Sequence, residues 1–565
     1  MGIPFYFKKL FTMFGKDLLG RVNIGATCES LYLDFNCMIH QSAQAIVNAQ
    51  PTLSQLEYEP LVIDQVLTNL IGLINVVRPT KMLYIGIDGL CPRAKMTQQR
   101  KRRYMTAWRI QQELANAANA KIDWDSNIIT PGTRFMKALD TTLASFIASN
   151  QAMFKFEIIL SPSSAPGEGE YKIFQDIRQG KQEATANDIV IYGLDADLIL
   201  LSMLSPSSDS IRLLRERPEF GQVVPTKLAN ADYIFLNVQV LVECMTNYFM
   251  PLPGAKDTVD VSKSFIHDYV MLSSLLGNDF IPSLSFLNIR DGGIERVMEA
   301  YIKCKEVDQN LIVSSNRTLN TMLLTEIIKE LARKEDIYMG DACAKYYAVN
   351  THVHMHMHMH SHASHSNASH SSHSSHSSHS NHRQSMSMSI DSYPQHPQNK
   401  HMPIIDPKIH GWRDTYYSSL FINGIQKTTI KTTCQDYVDA LHWVHAYYFT
   451  HDASNTWYYP HAYSPLATDL CQAMFVQQKK GIPESPEIYN ALLTNESLQL
   501  MAVLPPCSYK LVDDQFQKVF TNIQNGCIHM YPSHFRIHTF LKTYLWECCP
   551  VLPAIDICQL NDAMQ

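Results

Sequence analysis

Residues 188–200 read DIVIYGLDADLIL, in which a short apolar run predicted as a strand (188–195) ends at Asp195 and a second aspartate, Asp197, follows two residues later. Three other stretches share this design, namely SLYLDF (30–35), KMLYIGID (81–88) and FEIILS (156–161). Each run is too continuously apolar to have one face in water, as expected of strands covered on both sides by helices. Helical stretches separate the runs. The sequence up to about residue 345 therefore predicts an α/β fold built on a βαβ parallel sheet.

Acidic residues collect at the ends of these predicted strands. In the loop after residue 161, Gly167 and Gly169 bring two glutamates to the start of a helix. A further acid lies in LLGNDFIP (275–282). Because ligand sites in parallel sheets form at the carboxyl ends of the strands, we expect these acids to lie close together. The seven acids are Asp34, Asp88, Glu168, Glu170, Asp195, Asp197 and Asp279.

This set of acids predicts a metal site. Clustered carboxylates repel one another unless cations neutralise them. Hard oxygen ligands favour Mg²⁺ or Mn²⁺, and two such ions could activate water and stabilise a leaving oxygen at phosphorus. For any one acid, a role as helix cap or turn residue explains its presence equally well. Such roles do not explain the whole set on successive strand ends, so we favour metal-assisted phosphodiester cleavage.

A basic stretch follows Asp88 directly, and it predicts a helix beyond Pro92. Four polar residues recur on one face of that helix at i, i+4, i+7 and i+8, which predicts a phosphate-binding surface. They are Lys95, Gln99, Arg102 and Arg103. Further cations would extend the positive potential along the path of a bound strand, and they are Arg93, Arg100, Lys101 and Arg109. The alternatives are a solvated basic helix or a nuclear-import patch in RKRR (100–103).

The composition narrows the class of protein. With 565 residues and 45% hydrophobic composition, the chain can bury a large core and favours two or more packed units. A net charge of −6 means that any nucleic-acid surface is local. The 13 cysteines lack a CxxC pair and suggest reduced thiols in the cytosol or nucleus. No uninterrupted apolar run is long enough to span a membrane, so we expect a soluble protein without a membrane partner.

The chain divides into three segments by composition. Residues 1–345 carry the predicted sheet, and 346–401 are rich in His and Ser without aliphatic periodicity, which predicts disorder. Half of the 24 histidines lie between His352 and His382, which could store metal, but a solvated spacer fits better because no acid or cysteine there fixes a geometry. In residues 402–565 an aromatic-rich ordered region resumes, with a helix predicted at 436–449 and a loop at 455–465.

Several segments resemble a known family in order and spacing. LYLDFNCMIHQ (31–41), IDGLCPRAKMTQQRKRR (87–103), NIITPGTRFM (127–136), PGEGEYKIF (166–174), IYGLDADLILL (191–201) and LLGNDFIPSL (275–284) are similar to the first characteristic region of the XRN 5′-to-3′ exoribonucleases. WRDTYY (412–417), TWYYPHAYSP (456–465), QLMAVLPP (499–506) and WECCPVLPAID (546–556) resemble the second. The resemblance implies a PIN-like, Rossmann-type nuclease domain with a helix- and aromatic-rich second region packed on it.

The same resemblance implies roles for individual residues. The seven acids would bind Mg²⁺, and Lys95, Gln99, Arg102 and Arg103 would hold the 5′-phosphate. The terminal base would stack between His40 and Trp457. The implied substrate is single-stranded RNA with a 5′-monophosphate, degraded to mononucleotides by a compact form without the additional carboxyl-terminal domains of the cytoplasmic member. Tyr171 departs from the family, which usually has His after EGE.

Two other classes of protein remain open at this point. A flap endonuclease or related DNA 5′ nuclease shares the MGI start and the acid cluster, but it lacks the aromatic second region. A catalytically silent RNA-binding scaffold would have lost an acid, and none is lost here. Protein partners cannot be inferred, and we expect a cytoplasmic location with the nucleus as the alternative.

Overall fold

A seven-stranded sheet lies at the centre of the amino-terminal part of the computed structural model. The structure describes residues 3–21, 27–116, 124–179, 188–216, 233–250, 259–348, 403–421, 427–477, 495–521 and 526–565. The strands are β1 (Leu19–Arg21), β2 (Cys28–Asp34), β3 (Pro79–Gly86), β4 (Glu157–Ser161), β5 (Ile189–Tyr192), β6 (Ile211–Glu216) and β7 (Tyr233–Asn237). Their spatial order is β1-β7-β6-β5-β2-β3-β4.

The four strands predicted from apolar runs are all present as β2, β3, β4 and β5, with ends shifted by up to three residues. They pair in parallel with one another, and β6 joins them in parallel. The sheet is nevertheless mixed, because β7 runs antiparallel to β6 and β1 runs antiparallel to β7. The predicted parallel sheet is therefore confirmed for β2 to β6, and the antiparallel pairs are confined to one edge.

The central strands β2 and β5 are buried on both faces, as the apolar runs predicted, whereas the edge strand β4 is only partly buried. Leu31 and Leu33 of β2 point into the core shared with the helices on one face, whereas Tyr32 points into the larger core on the other. This alternation is the two-residue period of a β-strand. Since neither face of these central strands meets water, polar chemistry near them is confined to the strand ends.

The chain order creates a crevice at the carboxyl ends of β2 and β5. From β2 the chain proceeds through β3 to β4 on one side, whereas β5, β6 and β7 build the sheet on the other side. The strand order therefore reverses between β2 and β5, and such a switch point opens a crevice outside the strand ends where ligands bind. Asp34 ends β2, and Asp195 follows β5 closely.

Helices cover both faces of the sheet and continue into the second region. They are α1 (Tyr6–Phe14), α2 (Phe35–Ala49), α3 (Gln55–Val77), α4 (Arg93–Asn116), α5 (Arg134–Asn150), α6 (Gly169–Gln179), α7 (Ala196–Leu204), α8 (Val238–Phe249), α9 (Val259–Ser273), α10 (Gly293–Lys305), α11 (Thr321–Ala332), α12 (335–348), α13 (Trp412–Leu420), α14 (Lys427–His445), α15 (Ala467–Gln477), α16 (Glu496–Val503), α17 (Asp514–Thr521) and α18 (Ile557–Met564). A short two-stranded ribbon joins Ile537–His538 to Cys549–Pro550.

Side-chain caps define several helix starts. Thr133 accepts a hydrogen bond from the Met136 amide at the start of α5, and Asn320 does the same for Leu323 at the start of α11. At α3 the reciprocal contacts of Ser54 and Glu57 form a capping box. Such caps satisfy amide groups that have no partner inside the helix.

The helices after residue 259 pack with those of the second region around buried polar contacts. The Glu335 carboxylate is completely buried, accepts hydrogen bonds from the Ala467 amide and the Thr468 hydroxyl, and pairs with Arg413. The Tyr437 hydroxyl donates to the Pro282 carbonyl at 2.9 Å. Residues on both sides of the His-rich segment therefore share one core. That segment itself lies outside the described residues from position 349 onward.

One helix, α3, is long and apolar enough to cross a membrane by length and composition alone. One face of α3 is buried against α2 and the sheet, through residues such as Tyr58, Val66 and Leu73. A core helix that packs in this way commonly has such a composition.

Candidate active site

Three carboxylates meet in the crevice at the switch point. Oxygen atoms of Asp34, Asp88 and Glu170 all lie within 4.8 Å of one another, and among the described residues these form the group suited to holding a metal ion. Asp34 and Glu170 are buried, and Asp88 is partly buried. The Asn36 side chain accepts a hydrogen bond from the backbone amide of Asp88 at 2.9 Å, which holds the backbone of Asp88 in place.

Gly169 brings the glutamate loop against the two aspartates. Its amide donates to Asp88 Oδ1 at 2.7 Å. A Cβ atom at this position would lie 2.7 Å from Asp34 Oδ1 and 3.0 Å from the Gly86 carbonyl. Contacts this short force a shift, so only glycine lets the start of α6 approach the ends of β2 and β3 so closely. This explains in physical terms the GEGE pattern seen in the sequence.

Lys95 from α4 binds a second group of acids. Its ammonium lies 2.5 Å from Glu168, 2.8 Å from Asp279 and 3.9 Å from Glu170, and all four side chains are buried. Burial opposes the charge of Lys95, but these acids outweigh it and hold its pKa well above the ordinary value. The residue predicted to bind a phosphate therefore neutralises acids in this structure.

The pKa values show that positively charged groups of the protein do not fully neutralise the acids. Burial, together with neighbouring carboxylates, raises the pKa of Asp34 and Glu170 well above their usual range. The same causes raise the pKa of Glu168 to about 7 and of Asp197 to about 6. For Asp279, burial acts in the same direction, but Lys95 holds the pKa well below its ordinary value. Carboxylates that repel one another in a buried crevice favour binding of a cation.

Helix capping does not account for the acids at the strand ends. Asp34 and Asp195 both occupy the position before a helix, yet neither side chain accepts a capping hydrogen bond. Asn237 and Asn320, at equivalent positions in the same chain, do accept one. A structural role as a cap therefore explains neither acid, which agrees with the metal-site interpretation.

The donor set fits a hard divalent cation. The oxygens of Asp34, Asp88 and Glu170 would form the first site, and Glu168, Asp195, Asp197 and Asp279 lie on the neighbouring segments. All are carboxylates, without the thiolate or imidazole ligands that softer metals prefer. Asp197 is buried and accepts a hydrogen bond from the Tyr448 hydroxyl at 2.9 Å, which orients one of its oxygens.

On α4, two of the predicted phosphate-binding residues, Gln99 and Arg103, are hydrogen-bonded to each other, and Arg102 beside them is exposed. Arg103 donates to Gln99 Oε1 at 3.1 Å and to Thr130 Oγ1 at 2.8 Å, which leaves the Gln99 amide nitrogen to meet a ligand. Burial and the charge of Arg102 lower the pKa of Arg103 to about 10, so it stays protonated at neutral pH. Within the described ranges, neither arginine pairs with a carboxylate, so both can attract an anion.

Two of the cations expected to extend this basic surface serve the fold instead. Arg100 is buried and donates to the carbonyls of Pro553 and Met530. Arg93 donates to the Ile555 carbonyl at 2.9 Å and lies over the Tyr458 ring. For Arg100 the prediction of a strand contact is wrong, because the carboxyl-terminal segment packs on α4 and buries it.

His40 lies at the rim of the crevice on α2. Its side chain reaches solvent, but the surrounding protein and the charge of Arg102 lower its pKa to about 4. The imidazole is therefore neutral at neutral pH and can stack on a base as an uncharged ring. The charge of Asp88 acts in the opposite direction on the pKa of His40, but it does not outweigh burial and Arg102.

Trp457 is the outer ring of an aromatic stack that leads to the acids. It stacks on the buried Trp443 at 5.4 Å and 25°, and Trp443 stacks on Tyr447 at 5.4 Å and 17°. The Tyr447 hydroxyl donates to Glu168 at 3.3 Å. Trp457 itself is half-buried, so part of its ring is accessible. Its stacking partnership with His40 stays a prediction.

Sequence reasoning missed the two tyrosines beside the acids. The helix predicted at 436–449 is α14 followed by a π-helix at Ala446–Thr450, which contains Tyr447 and Tyr448. These two residues contact Glu168 and Asp197, respectively. π-Helices are rare and occur frequently at functional sites. The consecutive tyrosines near the end of the predicted helix were the available signal, but nothing in the local pattern indicates a π-helix.

A third missed residue is Lys172 on α6. It is buried, and its ammonium donates to the carbonyls of Ile87 at 2.6 Å and Pro162 at 2.9 Å. Burial lowers its pKa to about 8. Lys172 thus ties the chain after β3 to the chain after β4 directly below the acids. Tyr171, next to it, packs on Tyr447 with ring centroids 6.1 Å apart.

The fold and this site define a class of protein, namely an α/β protein with a carboxylate metal centre at the switch point of its sheet and a basic helix beside it. Residues 1–217 match the family model described as "XRN 5'-3' exonuclease N-terminus", and residues 259–565 match "Xrn1 helical domain". The chain belongs to the XRN exonuclease family. The PIN-like nuclease fold and the helical second region expected from the sequence are confirmed.

Curated relatives match along almost the whole chain at low identity. The "5'-3' exoribonuclease 2 homolog" of Drosophila melanogaster is 27% identical over 96% of this chain and 66% of its own length. The "5'-3' exoribonuclease 1" of Schizosaccharomyces pombe is 26% identical over 100% of this chain and 48% of its own length. The protein of the same name from Saccharomyces cerevisiae is 26% identical over 95% of this chain and 41% of its own length. The chain thus spans about half the length of the curated relatives it matches.

Proposed function

We propose that this protein is a 5′-to-3′ exoribonuclease that hydrolyses single-stranded RNA from a 5′-monophosphate end, releases mononucleotides and takes part in RNA turnover. The observation that carries the proposal is the buried group of Asp34, Asp88 and Glu170 at the switch point. The family membership and the names of the relatives support it.

The proposed cofactor is Mg²⁺, which Mn²⁺ could replace. Asp34, Asp88 and Glu170 would hold one ion, and Glu168, Asp195, Asp197 and Asp279 would complete the set. When bound, such ions generate a nucleophilic water at neutral pH and stabilise the charge that develops on the leaving oxygen.

The protein's own groups position this chemistry. Gly169 and Asn36 hold Asp88 in place through backbone hydrogen bonds. The hydroxyls of Tyr447 and Tyr448 orient Glu168 and Asp197. Gln99, Arg102 and Arg103 would bind the terminal phosphate, because guanidinium groups match its oxygens in geometry and charge. When a phosphate arrives, Lys95 would be shared between the acids and that phosphate.

The test that separates this function from its alternatives uses end-labelled substrates. Purified protein with Mg²⁺ should shorten RNA bearing a 5′-monophosphate and release mononucleotides, and it should act poorly on 5′-hydroxyl or 5′-triphosphate RNA. Preferred cleavage of matched DNA with a flap would favour a DNA 5′ nuclease. Binding without hydrolysis of any substrate would favour a silent RNA-binding scaffold.

The 5′-end preference should depend on Arg102. Because a charge-assisted hydrogen bond contributes about 1.5 to 3 kcal/mol, Arg102→Ala should reduce the rate on 5′-monophosphate RNA by roughly 10- to 100-fold, and far less on 5′-hydroxyl RNA. Gln99→Ala should act in the same direction more weakly. Single-turnover rates on the two substrates provide the measurement.

The matched control for Arg102 is Lys101, the neighbouring cation on α4. Lys101→Ala should lower the rates on both substrates by the same factor, because a cation beside the strand attracts RNA whatever its 5′ end. If Arg102→Ala also reduces both rates equally, the assignment of the phosphate pocket to this face is refuted.

The predicted stacking of the terminal base between His40 and Trp457, which we call the aromatic clamp, gives a separate expectation. Trp457→Ala should shorten the runs that the enzyme makes along RNA, because one stacked base contributes about 1 to 3 kcal/mol. Since Trp457 is the outer, half-buried ring of its stack, the fold should survive. Trp443→Ala is the contrasting variant, because loss of that buried ring should cost about 3 to 5 kcal/mol of stability. Processivity is read from product lengths under single-hit conditions, and wild-type runs in Trp457→Ala would refute the clamp.

We propose a cytoplasmic location, because no disulfide bond joins any of the 13 cysteines, all of which lie in the described ranges, and thiols stay reduced in the cytosol. The nucleus meets the same condition. Fluorescence microscopy of the tagged chain distinguishes the two compartments.

A further inference from the structure

A large groove opens beside the acids and leads away from them. It encloses about 650 Å³, and Asp195 and Asp279 line its inner end. One wall is the face of α4 that carries Lys101 and Arg102, and the opposite wall is the carboxyl-terminal segment from Phe540 to Cys549. The groove is thus continuous with the metal centre and much larger than a terminal phosphate requires.

Three aromatic rings stand together at the outer end of this groove. Tyr544 and Trp546 are nearly parallel, with centroids 5.8 Å apart and planes inclined by 10°. Phe5 lies 5.6 Å from Tyr544 and 5.7 Å from Trp546. Although it belongs to this cluster, Trp546 leaves 43% of its surface exposed, and it lines the groove together with Phe5. We call these three residues the aromatic platform.

Arg290 and Glu547 hold two residues of the aromatic platform, Phe5 and Tyr544, in place. Arg290 lies over the rings of Phe5 and Tyr544 at 4.8 and 5.0 Å, and it donates to Glu547 at 3.0 Å. Glu547 in turn accepts hydrogen bonds from the amides of Thr543 and Tyr544 at 2.8 and 3.0 Å. A large exposed ring that is locked in place loses little conformational entropy when a ligand stacks on it.

Cations line the groove between the acids and the platform. Lys101, Arg102 and Lys542 all face it, and in the part of the chain that the structure describes none of them forms an ion pair with an acid. Burial and the positive charges of Arg536, Lys101 and Lys542 lower the pKa of His538 to about 4, which agrees with a positive potential at this wall. Uncompensated cations beside aromatic rings are the features by which proteins bind single-stranded nucleic acid without reading its sequence.

We infer that this groove binds the RNA strand on the 3′ side of the scissile phosphate, with Trp546 stacking on a base and Lys101 and Lys542 contacting the backbone. The inference rests on the proposed function, because the basic face of α4 takes the 5′ end and leaves the open groove for the remaining strand. The platform would give the enzyme a hold on RNA several nucleotides away from the reacting bond.

The experiment measures binding as a function of RNA length. Fluorescence anisotropy is recorded with 5′-monophosphorylated oligouridylates of roughly 3, 6 and 12 nucleotides in EDTA, where no divalent ion supports cleavage. We expect Trp546→Ala to weaken binding of the longest RNA by roughly 5- to 100-fold, as for the loss of one stacked base, and to affect the shortest far less. Trp546→Phe should restore most of the affinity, because the smaller ring still stacks.

Two further variants separate the groove from general effects. Lys542→Ala should reduce the slope of log Kd against log salt for the longest RNA by about 0.7, the change for one lost phosphate contact on a single strand. Phe475→Ala removes another exposed aromatic ring outside the groove and should change neither affinity nor slope. It also controls for nonspecific stacking on surface rings.

The outcomes distinguish this inference from the proposed function. If Trp546→Ala binds the longest RNA as tightly as the wild-type protein, or weakens all lengths by one factor, the inference is overturned even when the wild-type protein degrades RNA. If the wild-type protein with Mg²⁺ leaves 5′-monophosphate RNA intact, the exonuclease proposal fails, and a length-dependent loss at Trp546 still supports a single-strand groove. Should Trp546→Ala fail to fold, the salt slope of Lys542→Ala decides the question.

Discussion

Asp88→Asn is expected to reduce cleavage of 5′-monophosphate RNA at least about 100-fold, because loss of an outer-shell partner of a metal ligand alone costs about 10- to 100-fold. The substitution removes the charge but keeps an oxygen that can accept the hydrogen bond from Gly169. The loop should therefore stay in place, and RNA binding should persist. Single-turnover kinetics over a range of Mg²⁺ concentrations, together with RNA affinity, provide the measurement.

Glu299→Gln is the matched control for this variant. Glu299 is an exposed acid that pairs with Lys334 far from the crevice, so neutralising it should leave the rate unchanged. Wild-type turnover in Asp88→Asn at saturating Mg²⁺ would falsify the assignment of Asp88 as a metal ligand. Strongly reduced RNA binding would instead show that the carboxylate acts on the substrate or on the fold.

Lys95→Met should strongly destabilise the protein when divalent cations are absent. It leaves the buried carboxylates of Glu168 and Asp279 without their cation, and breaking a buried ion pair from one side costs about 3 to 5 kcal/mol. Mg²⁺ should raise the melting temperature of the variant more than that of the wild-type protein, because the ion can replace the lost ammonium. Thermal unfolding with and without Mg²⁺ measures both effects.

Lys172→Met is the control variant for Lys95→Met. Lys172 is also buried, but its ammonium donates to two backbone carbonyls and, among the residues that the structure describes, to no carboxylate. Its loss should destabilise the protein without any additional stabilisation by Mg²⁺. Equal responses of the two variants to Mg²⁺ would show that Lys95 is an ordinary structural lysine and not the counter-ion of the acids.

The local sequence pattern was sufficient to predict the central strands and the position of the acids. A continuous apolar run such as residues 188–192 can only be satisfied between two layers of helices, and its period of two assigns alternate residues to the two faces. The carboxyl ends of parallel strands share one edge, so acids placed there had to approach one another. Consequently the place of Asp34, Asp88 and Asp195 could be predicted without any coordinates.

Contacts between distant segments decided the features of the structure that the local sequence pattern did not predict. The antiparallel strands β1 and β7 were missed because they depend on pairing across the sheet, and their short runs carry no local signal of direction. The burial of Arg100 depends on a carboxyl-terminal segment that lies more than 400 positions away in the chain.

The amino-acid sequence by itself thus determined the βαβ core, the acids at its edge and the basic face of α4, because each follows from the periodicity of one element. Only the tertiary structure decided that Lys95 neutralises Glu168 and Asp279, that a π-helix brings Tyr447 and Tyr448 to the acids, and that Trp546 stands exposed at the end of a groove. The physical reason is that the charge state, burial and partners of a side chain are set by whichever distant segments pack around it, and no local pattern records them.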